Sequence, residues 1–115
     1  MPQGNDRRDI EPAALLLDGN GVIEDCTPTA ESLFGYSRAQ LAARAVATLV
    51  PGLAEFRLLV HGEPNPRLLL LCHLGTPFEA CRCDSTRFRC KLSLSFVGPD
   101  RSRRLRLTVV PLQPT

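Results

Sequence analysis

The chain has no tryptophan, one tyrosine, one methionine and two histidines in 115 residues. His61 and His73 are therefore the only imidazoles that could ligate a haem or a metal. Five phenylalanines make up most of the aromatic content, and only Phe88 lies among the arginines. Phe88 falls on the apolar phase of its segment, so base stacking on a basic surface has no support and no nucleic acid is expected as a partner. No apolar run approaches the ~20 residues that a membrane helix needs. The longest, Leu68 to Cys72, has the length of a strand, and no membrane contact is expected. Met1 to Asp9 is polar and lacks the apolar stretch of a secretory leader, so a cytoplasmic protein is expected. The five cysteines (Cys26, Cys72, Cys81, Cys83 and Cys90) are odd in number and contain no C-x-x-C pair. In an unexported chain such residues behave more as small hydrophobes than as a disulfide framework. There is no Ser-His-Asp order and no phosphate loop. Gly19-Asn20-Gly21 is a turn signal, and Glu24, Asp25 and Glu31 are solvated edge or helix-face residues. No enzymatic activity and no catalytic residue are expected.

What is present is a composition typical of one globular domain, 43% hydrophobic and 23% charged, at a length suited to a single core. The net charge of +2 is unevenly spread. Arg82, Arg87, Arg89, Lys91, Arg101, Arg103, Arg104 and Arg106 crowd the last third and should make one side of the fold basic. Ala13 to Asp18 is apolar and runs into Asp18-Gly19-Asn20-Gly21, after which Val22-Ile23 opens a second apolar stretch. Asx-Gly steps tolerate positive φ, so the pair is expected as two short antiparallel strands. Thr27-Pro28 then supplies a helix cap and a first-turn proline. Ala30, Leu33 and Phe34 follow at helical spacing, and Gly35 ends the helix. Ser37 can cap a second short helix containing Leu41. Val46 to Val50 is an apolar turn stopped by Pro51-Gly52. Leu53, Phe56, Leu59 and Val60 form one helical face, and His61 to Pro66 is expected as a loop. Everything beyond is expected to be β. Phe88, Cys90, Leu92, Leu94 and Phe96 alternate with Arg87, Arg89, Lys91, Ser93 and Ser95, the pattern of a strand with one buried face. Asp84-Ser85 turns the chain before it. Gly98 to Arg103 turns it afterwards, and Leu105, Leu107 and Val109 alternate again.

This order, two strands, several short helices and three strands, resembles the PAS family, and two motifs carry the resemblance. Leu17-Asp18-Gly19-Asn20-Gly21-Val22-Ile23-Glu24 with Thr27-Pro28-Thr29-Ala30-Glu31-Ser32-Leu33-Phe34-Gly35-Tyr36-Ser37 is similar to that family's "D-x-x-G-x-I … N-x-A-A-E-x-L-F-G-Y-S". Cys83-Asp84-Ser85-Thr86-Arg87-Phe88, with Leu92-Ser93-Leu94-Ser95 behind it, resembles "x-D-G-x-x-F … L-S-x-S". The resemblance spans about residues 12–112, preceded by a polar segment, 1–11, and followed by a short tail, 113–115. It implies an α+β fold, a five-stranded antiparallel sheet with short helices packed on one face. Three departures stand out: Thr27 replaces the family's asparagine, Ser85 replaces its turn glycine, and the exit motif "D-I-T" is missing.

The resemblance further implies a sensory or dimerisation module of a bacterial signal-transduction regulator. Such a module perceives a small ligand or relays a conformational signal to an output domain, and it forms a homodimer through the sheet face. A ligand-free interaction module and a cysteine redox sensor are the alternatives. The pattern is closest to the haem-binding and histidine-kinase branch, yet no histidine occupies the proximal position near Leu53 to Phe56. The blue-light flavin subgroup needs a reactive cysteine where Val46 stands. The cofactor therefore stays unknown. The cavity between sheet and helices should be lined by Leu17, Ile23, Phe34, Leu41, Val46, Leu49, Phe56, Leu92, Leu94 and Leu107, which suits an apolar ligand or simple packing. If Asp84-Ser85 is a two-residue turn, Cys81, Cys83 and Cys90 share one hairpin face. Cys72 or His73 could then complete a four-ligand zinc site. Core packing, thiol sensing and metal binding all remain open for this cluster, and a one-residue register change would divide it.

Overall fold

Alternating side chains decide where the sheet turns its faces. In the computed structural model, which describes residues 11–98 and 104–112, Arg87–Val97 forms an eleven-residue strand. Its even positions Cys90, Leu92 and Leu94 are buried while Arg89, Lys91, Ser93 and Ser95 are exposed. It pairs antiparallel with Arg104–Pro111, in which Leu105, Leu107 and Val109 are each about 1% exposed. Among the described residues the strands are β1 (Ala13–Leu17), β2 (Ile23–Cys26), β3 (Leu59–Val60), β4 (Glu63–Pro64), β5 (Phe78–Cys81), β6 (Arg87–Val97) and β7 (Arg104–Pro111). Five of them form one antiparallel sheet in the order β2-β1-β7-β6-β5, and β3 and β4 form a separate small hairpin. The first and last strands of the domain are thus neighbours, a non-local closure that ties both ends together.

Short helices cover the inner face. Helix α1 (Pro28–Phe34) starts where expected: Thr27 Oγ1 accepts from Ala30 N–H, and Pro28 takes the first position. Thr27 also accepts from Ala14 N–H and donates to the Pro12 carbonyl, fastening the helix start to β1. Gly35 closes α1 at φ 78°, a left-handed conformation that favours glycine, and a Cβ there would stand 2.7 Å from Cys83 Sγ, so any other residue would also make the Cys83 side chain rotate away. Helix α2 (Arg38–Leu41) carries a full capping box between Ser37 and Gln40. Two 3₁₀ turns follow, Val46–Thr48 and Pro51–Glu55.

Two expectations fail beyond this point. Leu53 to Val60 is not a helical face; the second 3₁₀ turn ends at Glu55, and Leu59–Val60 pairs with Glu63–Pro64. Nor is the remainder all β, because Leu68 to Cys72 lies inside helix α3 (Pro66–His73). Asn65, itself buried, caps it by accepting from Arg67 and Leu68 N–H, with Pro66 at the first position. Asn-Pro is a helix start signal, and a short leucine run has no periodicity that separates strand from helix. His73 accordingly ends a helix rather than sitting on a strand. The turn expected over Gly98 to Arg103 lies, beyond Gly98, outside the described residues, as do residues 1–10 and the tail.

Two stability measurements check this arrangement. Leu94→Ala, 8% exposed in the wild type, should lower the unfolding free energy by about 2–5 kcal/mol in urea melts. Ser85 adopts φ 72° in the β5–β6 turn, where a Cβ is strained. Ser85→Gly should therefore gain up to about 1 kcal/mol; an unchanged or lower midpoint would show that the turn carries no such strain.

Candidate functional site

Three places on the molecule have the chemistry to receive something: the interior, a cleft at one end, and the bare face of the sheet. The interior was expected to hold a cavity lined by ten apolar residues. Leu17, Ile23, Phe34, Leu41, Val46, Leu49, Leu92, Leu94 and Leu107 all lie in one hydrophobic cluster, none more than 8% exposed, with Phe56 half-buried against it. These side chains touch one another as core.

The cleft, of 440 Å³, opens between the β1–β2 turn at Gly19–Gly21, the first 3₁₀ turn and the Phe56–Leu59 stretch. Of the ten residues only Val46 and Phe56 reach it. The turn is held by Asp18, whose carboxylate accepts from Asn20 and Val22 N–H. Gly21, at φ 83°, lets Leu58 approach to 3.2 Å of where a Cβ would stand. Arg57 and Asn20 are its polar side chains, and the remaining lining residues are glycines and apolar residues.

The outer sheet face carries the charge. Arg87 pairs with Glu79 at 3.1 Å, and Arg104 pairs with Glu24. Arg89, Lys91 and Arg106 on the same face have no ion pair or side-chain hydrogen bond among the described residues. At the sheet's edge Arg38 holds Asp25 at 2.6 Å.

The β5–β6 turn is anchored across the molecule by a residue that sequence reasoning passed over as one more cation. Arg82 Nε donates to the Leu33 carbonyl at the end of α1 at 3.0 Å, and its guanidinium lies 4.3 Å from the Phe88 ring centroid. Phe88 in turn meets Phe34 at 5.8 Å between centroids. Cys83 N–H donates to the Phe34 carbonyl at 2.9 Å, and Cys81 N–H to that of Leu49 at 2.8 Å. A cation suits a helix C-terminus, but 49 residues separate Arg82 from Leu33, beyond any local signal.

The cysteines are not brought together. Phe78 pairs with Cys90 and Cys81 with Arg87, so Cys81 and Cys90 lie on opposite faces of the hairpin. The shared face expected for Cys81, Cys83 and Cys90 is therefore incorrect: the turn spans more than Asp84-Ser85, with Arg82 N–H donating to the Thr86 carbonyl. Burial pushes the Cys90 thiol up to about 11, and its Sγ lies 3.5 Å from the Phe78 carbonyl. Cys72 is raised by burial too, and Cys26 by burial reinforced by Glu31 and Asp25. Among the described residues, no three His, Cys, Asp or Glu side chains converge as metal ligands. The family's cofactors fit poorly as well. Val46, with no thiol for a flavin adduct, is buried where that cysteine would stand, and His61 and His73 are both exposed and outside the core.

No family model and no curated protein matches the chain. Solved structures do. The PAS domain of a two-component sensor histidine kinase superimposes with a TM-score of 0.68 at 13% identity, covering 95% of this chain and 93% of that one. A PAS domain from Desulfitobacterium hafniense gives 0.64 at 17%, over 94% and 99%. The PAS domain of nitrogen regulation protein NR(II) from Vibrio parahaemolyticus gives 0.57 at 20%, over 87% and 88%. The chain has the PAS fold, an α+β arrangement of five antiparallel strands with short helices.

The cysteine geometry makes a chemical prediction. A thiol near 11 is almost wholly protonated at neutral pH and reacts slowly with peroxide. Mild peroxide should leave Cys90 reduced and give no Cys81–Cys90 or Cys83–Cys90 bridge in peptide maps. Finding either bridge, reversible by thiol, would promote redox sensing over packing.

Proposed function

We propose that residues 12–112 are the sensory or relay module of a signal-transduction regulator, passing a conformational signal to an output domain rather than catalysing a reaction. The observation that supports this most is the combination of the PAS fold with an interior closed by its own apolar side chains. Such an interior suits relay through packing, or perception of a small apolar molecule, better than it suits recognition of a polar metabolite. The module works in the cytoplasm in this reading, where free thiols persist. No helix among the described residues is long and apolar enough to cross a membrane. The full-length gene product tests the assignment. An output domain on the same polypeptide, responsive to substitutions in β6 or β7, carries it. A product in which such substitutions alter no activity overturns it.

Contact with partners runs through the outer sheet face, which no helix among the described residues covers. A second copy docks there weakly, because the unpaired Arg89, Lys91 and Arg106 of two chains would share one interface. Repulsion of this kind is screened over roughly 8–10 Å at moderate salt. Sedimentation should therefore show self-association that is weak at low ionic strength and tightens as salt is added. A tight, salt-insensitive dimer, or one that needs residues 1–11, would contradict that route.

A further inference from the structure

We infer that the 440 Å³ cleft at the β1–β2 turn is a binding site for a small organic anion, a single carboxylate on a compact apolar body. The inference goes beyond the proposed function, which concerns the interior and the sheet, and does not depend on it.

The cleft is distinct from the space between sheet and helices. Among the described residues, none of β5, β6, β7 or α3 lines it. One wall is the turn Gly19–Gly21, a second is Ala45–Ala47, and the third comes from the stretch between Leu53 and Leu59. Val46 N–H donates to the Gly21 carbonyl at 2.8 Å, which joins the first two walls. Asn65 fixes the third: its Nδ2 donates to the Arg57 carbonyl and its N–H to that of Leu58, both at 2.8 Å. The walls are therefore held by the protein's own hydrogen bonds, and the cleft is formed before anything enters it. It stays open because much of its lining is short, two glycines with Ala45, Ala47 and Ala54. Its volume falls within the range of about 300–1,000 Å³ usual for small-molecule sites.

The lining selects the ligand. Val46, Leu53 and Leu58 are buried and Phe56 is half-buried, so the floor is apolar and part aromatic. The two polar side chains, Asn20 and Arg57, are both exposed. Arg57 has no ion pair or side-chain hydrogen bond among the described residues. No aspartate or glutamate among them lines the cleft, and the neighbouring Asp18 carboxylate is engaged by Asn20 and Val22 N–H. A lone guanidinium beside an apolar floor is complementary to one carboxylate, which its planar fork can hold through two parallel N–H bonds. A second anionic group would find only the Asn20 amide, so dicarboxylates, tricarboxylates and nucleotides fit less well. A neutral apolar molecule would fill the floor and leave the guanidinium unmatched.

The test titrates the whole chain with naphthylacetate, ionised at neutral pH, and with its neutral counterpart naphthylacetamide, read by calorimetry and by amide shifts. Wild-type protein should bind the acid at least tenfold more tightly than the amide, with shifts centred on residues 19–21, 45–47 and 53–59. Arg57→Gln should bind the acid at least tenfold more weakly and no longer distinguish it from the amide. Ala54→Phe, at an exposed position that narrows the cleft, should weaken both compounds at least tenfold. Arg67→Gln, an exposed cation outside the lining, should stay within threefold of wild type. Each variant is checked for unchanged circular dichroism. No saturable binding at millimolar concentration, or equal wild-type affinity for acid and amide, would overturn the inference. So would equal losses in Arg57→Gln and Arg67→Gln, undiminished binding by Ala54→Phe, or shifts centred on β5, β6 and β7.

Discussion

Phe34, Leu15, Leu17, Leu105, Leu107 and Val109 come from one helix and two neighbouring strands, and every one is at most 1% exposed. Each such side chain contributes about 1.5–3 kcal/mol by leaving water, and together they close the inner face of the sheet. That closure constrains everything else. With these side chains packed into one cluster, the groups most accessible to another molecule are those on the rim and on the opposite face. The pleat sends alternate residues there automatically, so the same β6 segment that buries Cys90, Leu92 and Leu94 must present Arg89, Lys91, Ser93 and Ser95. Core and outer face are two phases of one sequence.

This is why the sheet could be read from the chain. Period-two alternation over Phe88 to Phe96 and over Leu105 to Val109 has one simple solution, and Thr27-Pro28 and Ser37 announce helix starts through hydroxyls with few other uses. The segment from Leu53 to Cys72 was opaque for physical reasons. Its apolar residues satisfy a helical count at 53, 56, 59 and 60, yet the 3₁₀ turn ends at Glu55 and Phe56 is already extended, at ψ 144°. Further on, Leu68 to Leu71 is apolar in every phase. What decides there is Asn65, whose side chain caps α3 and donates to the Arg57 carbonyl at 2.8 Å. That second bond ties the helix start to the preceding segment and is invisible without the fold. Of the ten residues expected around a cavity, nine are buried and Phe56 is half-buried; periodicity carries no information on whether buried residues surround a space or fill it.

The cysteines show the same limit. Spacing alone allowed three thiols on one face, because a hairpin's register depends on the size of its turn. Here Asp84 takes two hydrogen bonds from Thr86, at 3.0 Å from its N–H and 2.6 Å from its hydroxyl. Those bonds hold the Asp84 carboxyl below the usual carboxylate range. The loop then has Arg82 N–H meeting the Thr86 carbonyl, which sets Cys81 opposite Arg87 and so on the outer phase, while Cys90 opposite Phe78 falls on the inner one. A single residue's difference in loop length divides the cluster, as the two-residue period requires.

Arg82 connects these observations. Its guanidinium touches the Leu33 carbonyl of α1, the Phe88 ring of β6 and the Thr86 hydroxyl of the turn, the last at 3.4 Å. A cation in that position is stabilised by the unsatisfied carbonyls of a helix end and by the face of an aromatic ring. Because Phe88 also packs on Phe34, displacement of α1 has a direct mechanical path into the first residues of β6, ahead of Arg89 and Lys91 on its outer phase. A disturbance of the helical layer would thus be felt at the charged end of the contact face before it reached the hydroxyl-lined end. Under the proposed relay function, this asymmetry matters more than any single interior residue. It links the helical layer to the cations on the outer phase of β6.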